Sequence, residues 1–120
     1  GEDAFLRRYP DGSDGLPGHE GAFIPASWWA VSALAMAGCI DEANERADAM
    51  CAQLPPLVAE EWHVEARQPA GNVPLLWSHT EMARALHNLD VARIRKRYGR
   101  PGIMLHDIAL YVRVRLSRRS

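Results

Sequence analysis

Along the chain, apolar stripes at helical spacing alternate with stretches punctuated by glycine and proline. From Phe23 onward, Trp28, Val31, Leu34 and Ala35 recur at steps of three and four, which puts them on one face of a helix. Trp29 and Met36 widen the stripe, so this helix is expected to be covered on more than one side, and Gly38 reads as its stop. Asp41 reads as the N-cap of a second helix running to about Leu54, with Glu42 and Glu45 near its positive end. Pro55-Pro56 ends it, and the two helices make a hairpin with a short turn. A third helix is expected from Ser78, where Ser78-His79-Thr80-Glu81 has the form of a capping box. Met82, Leu86 and Leu89 give it an apolar side. Asp90 to Tyr98 reads as another short and very basic helix, broken by Gly99-Arg100-Pro101-Gly102. Met104 to Leu116 fits a helix through Ile108, Tyr111, Val112 and Arg115, although Val112 to Leu116 also alternates like a strand.

Two connections are long. Residues 10–22 are rich in Gly and Pro and read as a loop. Residues 57–76 read as a second, partly extended loop that includes Pro69, Gly71, Asn72 and Pro74. No strand is expected before residue 108, so the fold class is all-α.

Composition narrows the picture. A chain of 120 residues, 48% hydrophobic, suits one compact domain and argues against wholesale disorder. No apolar run approaches the ~18 residues of a membrane span, so no membrane partner is expected. Cys39 and Cys51 lie in or beside helices without a C-x-x-C pattern, and read as two reduced, buried thiols. A cytoplasmic setting follows. The chain opens Gly1-Glu2-Asp3 with no initiator Met and no signal segment, which reads as a cut, a processing site or a fragment boundary. The net charge of −1 is a sum of unlike parts. Residues 1–89 carry 5 Arg against 13 acidic residues, a net −8. Residues 90–120 carry 8 Arg and 1 Lys against 2 Asp, a net +7.

Candidate chemistry is sparse. Arg8 opens the first loop, and an Arg beside a carboxylate can grip sugar hydroxyls with its planar fork of donors; on spacing alone it is an exposed charged turn. Glu60-Glu61-Trp62 puts two carboxylates beside an aromatic ring. That suits carbohydrate work, with the ring on the apolar face of a sugar and a carboxylate handling a proton. Adjacent carboxylates also repel, which separates their pKa values. On its own the triplet reads first as an acidic surface turn with a half-buried Trp. His19, His63, His79, His87 and His106 form no H-E-x-x-H or i,i+4 pair, so they are read as structural or surface residues and neither a metal nor another cofactor is expected. No nucleotide or serine-nucleophile motif occurs. The basic stretch Arg93 to Tyr98 could meet phosphates or dock on the acidic part of its own chain. It carries no helix-turn-helix signature, so nucleic acid is not the expected partner.

The order of these signals is more specific than any one of them. Arg8-Tyr9-Pro10 is followed by Asp14-Gly15-Leu16-Pro17-Gly18-His19-Glu20-Gly21-Ala22-Phe23. Next come the Trp-bearing helix, Ala59-Glu60-Glu61-Trp62, and Gly71-Asn72-Val73-Pro74-Leu75-Leu76-Trp77-Ser78-His79. Over about residues 7–89 this resembles the C-terminal part of glycoside hydrolase family 15, which contains glucoamylases, glucodextranases and bacterial trehalases; the loop version looks closest to the bacterial trehalase-type branch. Residues 90–120 match no part of the family and form a separate basic extension. The resemblance implies an (α/α)6 barrel of helical hairpins and an inverting mechanism, in which one carboxylic acid protonates the leaving oxygen and a second carboxylate activates water. By motif position Glu60 matches the general base, Trp77 an active-site aromatic, and Arg8 an Arg that binds the glucosyl unit. Glu20 matches an acidic loop position that is structural or positions substrate, and Trp62 joins the substrate-binding set. The family's general acid has no match here, and the barrel needs more hairpins than 120 residues supply. The expected partners are therefore an α-glucoside and the missing N-terminal part of the barrel, and the isolated chain is expected to be inactive or nearly so. The competing expectations are a non-catalytic helical-hairpin interaction domain and a helical adaptor that uses the basic tail.

Overall fold

The computed structural model describes residues 4–10 and 20–117. The Asp14–His19 part of the family-like loop lies outside the described residues. The described chain is mostly helical, as expected, with a small sheet that was not. Its order is β1 (Ala22–Phe23), α1 (Ile24–Ala37), α2 (Ile40–Cys51), β2 (Glu61–His63), β3 (Gln68–Ala70) and α3 (Leu76–Ser117).

α1 forms where the stripe predicts. Pro25 sits in its first turn, where a missing N–H leaves no bond unmade. Gly38 closes it in the left-handed region at φ 86. The amides of Gly38 and Cys39 donate to Ala35 O and Leu34 O at 3.2 and 2.9 Å, capping carbonyls the helix leaves open. Ile24, Trp28, Val31 and Ala35 are buried and pack mainly on α3. The other side is not covered as expected: Met36 is 80% exposed and Trp29 41%.

In α2 the buried positions Ile40, Ala43, Ala47 and Met50 follow the same three–four spacing. Its N-cap is Cys39, not Asp41. Asp41 and Glu42 lie in the first turn, where their charge still favours the helix. Cys39 at the turn and Cys51 at the helix end are free and exposed, which corrects the expectation of buried thiols. The helix ends three residues earlier than Leu54.

α3 starts at Leu76, two residues before the expected cap. Ser78 is therefore inside the helix and buried, its hydroxyl without a hydrogen-bond partner among the described residues, so no capping box forms. Ser78, Ala85 and Leu89 are its buried positions. The helix passes through Asp90 without a break, merging two segments that the sequence suggested were separate. The break comes at Gly99, at φ 66 and ψ −161, a conformation glycine adopts without the Cβ penalty. A Cβ on Gly102 would collide with the Cβ of Tyr98, so the two segments, residues 76–98 and 100–117, meet closely at this bend. The rings of His87 and His106 lie 6.1 Å apart. In a straight helix, 19 residues would separate them by about 28 Å. The second segment thus folds back along the first.

The sheet is antiparallel in the order β1-β2-β3. Ala22 pairs with Trp62 and Phe23 with Glu61. Glu61, Trp62 and His63 pair with Ala70, Pro69 and Gln68. Arg7 bridges to Ala22, and the Phe23 amide donates to Leu6 O at 2.7 Å, so the N-terminal segment runs beside β1. The Ser27 hydroxyl secures it by accepting from the Leu6 amide at 2.9 Å and donating to Phe23 O at 3.0 Å. Ala4 and Phe5 join the core that contains Trp28, Val58, Trp62 and Leu89.

Candidate active site

Three charged residues from distant parts of the chain meet at the edge of this sheet. The Arg8 guanidinium donates to Glu20 Oε1 through Nε and Nη2 at 3.2 and 3.1 Å. Nη2 also donates to Glu61 Oε1 at 3.1 Å. The cluster is held from below by backbone: the strap at residues 5–8 carries Arg8, the end of the loop carries Glu20, and β2 carries Glu61. The Glu20 and Glu61 side chains are largely covered, whereas Arg8 stays more open at 38% exposure. Burial raises the Glu61 carboxyl above the ordinary glutamate range. The negative charge of Glu20 adds to the rise, Arg8 opposes it, and Glu60 adds a further push upward.

Glycines let backbone approach both carboxylates of the Glu60-Glu61 pair. A Cβ at Gly21 would stand 3.1 Å from Glu61 Cβ, and one at Gly71 would stand 3.0 Å from Glu60 Cβ and 3.0 Å from its Oε2. Glu60 is fixed through backbone and side chain together. Its carbonyl accepts from the Ile24 amide at 3.0 Å, and its amide donates to Asn72 O at 2.9 Å. Its Oε2 accepts from Asn72 Nδ2 at 2.8 Å and from the Asn72 amide at 3.3 Å. Oε1 takes no hydrogen bond from another described residue.

His79 supports this strand from behind. The Val58 amide donates to its Nε2 at 3.2 Å, which leaves Nδ1–H to donate to Leu75 O at 2.9 Å. With the Leu75 amide donating to Val58 O at 2.9 Å, it ties the start of α3 to the run that delivers Glu60. For His79 this agrees with the structural reading.

An aromatic row continues from Arg8. Its guanidinium lies 5.3 Å from the Phe23 ring centre and 5.2 Å from that of Tyr9, within cation–π range. Phe23 meets Trp77 edge-on at 5.6 Å, and Trp77 meets Trp29 at 5.7 Å. Both indoles are partly exposed.

Of the residues singled out from sequence, the structure gathers Arg8 and Glu20 and sets Trp77 on the same Phe23 ring that Arg8 covers. Glu60 adjoins the cluster through Glu61, but its carboxylate is engaged by Asn72 and not by Arg8. Trp62 does not join them: it is 4% exposed and points into the core. Phe23, Trp29 and Asn72 were not singled out as site residues, and Glu61 entered only within the Glu60-Glu61-Trp62 triplet, without a role of its own. The only sequence signal for Glu61 was its adjacency to Glu60. The described residues contain no group of three or more His, Cys, Asp or Glu positioned to hold a metal ion.

A guanidinium between two carboxylates, beside a second carboxylate–amide pair and an open aromatic row, is an arrangement suited to grasping polyhydroxylated ligands. The chain is 34% identical over 89 residues to a trehalase of Mycolicibacterium smegmatis, and 33% identical over 89 residues to a trehalase of Mycobacterium tuberculosis. In each case the match takes in 71% of this chain and 13% of the relative's length. The chain thus corresponds to a small part of these enzymes. No family model matches it, and no solved structure matches it.

Proposed function

We propose that residues 1–89 are the base-bearing end of an inverting α-glucoside hydrolase of glycoside hydrolase family 15, with residues 90–120 as an extension to it. The observation that carries this reading is the fixed Glu60 carboxylate, one oxygen held by Asn72 and one open, beside the Arg8–Glu20–Glu61 cluster in a trehalase-like sequence. In this reading Glu60 Oε1 takes a proton from the water that attacks the anomeric carbon, on the sugar face opposite the leaving group. Arg8 donates to glucosyl hydroxyls, Glu20 and Glu61 hold its plane, and Trp77 with Trp29 packs against the apolar face of the sugar. The general acid that protonates the leaving oxygen is supplied by a segment outside these 120 residues. Chemistry without it is slower by about 10²–10⁴-fold.

The test separates binding from hydrolysis. Tryptophan fluorescence of the 120-residue chain is titrated with trehalose, maltose and glucose, and glucose release is measured in parallel. The expected result is a saturable change that Arg8→Ala and Trp77→Ala abolish, with essentially no glucose released. In a longer chain that includes the acid-bearing segment, Glu60→Gln should lower turnover by about 10²–10⁴-fold with little change in KM. A chain that binds none of these sugars would favour the non-catalytic interaction domain. Release of glucose by the isolated chain would refute the division of acid and base.

A further inference from the structure

The second segment of α3 carries its apolar side outward. Residues 100–117 fold back on residues 76–98, and Gly102, Ile103 and His106 are the partly covered positions. At 3.6 residues per turn, Tyr111, Met104, Ile108, Val112, Leu105 and Leu116 occupy one arc of about 140°. That arc points away from the rest of the molecule, and these six side chains are 47–64% exposed. A helix that merely sat on the surface would turn such an arc inward and its charges outward. A contiguous outward apolar face of this size marks a surface that another phase or molecule covers.

Charge decides among the occupants. Residues 90–120 carry 8 Arg and 1 Lys against 2 Asp. Some of this charge is used internally: Arg93 bonds Asp90 at 2.8 Å and also Asn44, and Lys96 lies 4.0 Å from Asp41. Arg100 borders the apolar arc and Arg115 lies within it, and Arg95, Arg97 and Arg113 are exposed elsewhere on residues 90–117. A second copy apposed through this helix would bring two strongly basic segments together. A nucleic acid would answer the charge but offers no apolar phase for six large side chains. A bilayer rich in anionic headgroups answers both. Arg115 falls within the arc, and its guanidinium lies over the Tyr111 ring at 5.3 Å. An Arg in that position can lay its stem on apolar surface while its head reaches the headgroups. Tyr98 and Tyr111, both exposed, are residues that favour the bilayer interface. No helix of the described residues is long and apolar enough to cross a membrane.

We propose that residues 100–117 are an interfacial helix that lies in the plane of an anionic lipid surface, with Met104, Leu105, Ile108, Tyr111, Val112 and Leu116 immersed. No apolar run in the sequence is long enough to suggest a membrane partner; the proposal rests on the outward direction of the apolar arc. The proposal does not depend on the glycosidase reading. The test is co-sedimentation of the whole 120-residue chain with phosphatidylcholine vesicles, with and without phosphatidylglycerol. Binding is expected only where phosphatidylglycerol is present, weakening steeply as salt is raised. Arg100→Gln should weaken it about fivefold, and Ile108→Asp should abolish it while helical circular dichroism is retained. Should Ile108→Asp not fold, Tyr111→Trp serves as reporter: its emission should shift to the blue on phosphatidylglycerol vesicles. Absence of binding and of that shift overturns the proposal. So does a dimer lost in Ile108→Asp without lipid binding, or salt-sensitive RNA binding without vesicle binding.

Discussion

Replacing Gly71 by Ala tests whether the close seat of Glu60 is needed. Gly71 has φ 67, and a left-handed residue with a Cβ costs ~1–2 kcal/mol. Against this, Ala restricts the unfolded chain and returns ~0.4–1 kcal/mol. Those two terms apply equally to Gly38→Ala, at φ 86, where nothing lies within 4 Å of the added atom. Gly38→Ala should therefore cost about 0–1.6 kcal/mol. At Gly71 the new Cβ would stand 3.0 Å from both Glu60 Cβ and Glu60 Oε2, short of the ~3.5–4.0 Å at which carbon atoms rest. Glu60 must retreat, and the 2.8 Å bond from Asn72 Nδ2 lengthens. Losing a bond of this kind costs ~0.5–1.5 kcal/mol, toward the lower end at a solvent-accessible site. The expected gap between the two variants is thus about 0.5 kcal/mol, or ~1.5–3 °C in melting temperature for a chain of this size. Far-UV circular dichroism melts measure it, and the Asn72 side-chain amide resonance should move in Gly71→Ala alone. Equal losses in the two variants, with Asn72 unmoved, would refute the argument that Gly71 exists to seat Glu60.

Other consequences can be checked separately. Trp28→Ala removes a fully buried indole and should cost ~3–5 kcal/mol, read as a large drop in the urea midpoint; a loss under ~1 kcal/mol would contradict its place in the core. The Glu61 carboxyl is raised in the folded protein by burial first and by Glu20 second. The folded state then holds that proton more tightly than the unfolded state, so its contribution to stability is complete below the ordinary glutamate value and is lost as pH rises through the raised value. Urea denaturation across that window should show wild type gaining on Glu61→Gln as pH falls, and a pH-independent difference would refute the assignment. Cys51 has its thiol pushed up by partial burial and by Asp48, which lowers its thiolate fraction. Iodoacetamide labelling of the folded chain, followed by peptide mass mapping, should modify both cysteines; complete protection of either would contradict their exposure.

The helices were legible because burial repeats along them: Trp28, Val31 and Ala35 announce α1 before any tertiary contact is known. The sheet was not, for a physical reason. Its strands are two or three residues long, too short for a period of two to show, and Pro69 sits inside β3. What makes them strands is pairing across distance, Phe23 with Glu61 and Trp62 with Pro69. The same distance hid half the site. Sequence shows two adjacent glutamates, but successive residues of a strand face opposite ways, so which of them meets Arg8 depends on register. A slip of one residue in β2 would turn the other carboxylate toward Arg8. It would also turn Trp62, now 4% exposed, out of the core. Burying so large a ring stabilises one register by ~1.5–3 kcal/mol, more than a solvent-accessible ion pair supplies by itself, and the Arg8–Glu61 pair is open to solvent on its arginine side. Trp62 thus serves the site from inside the fold, by fixing which glutamate holds the arginine and which is left to Asn72.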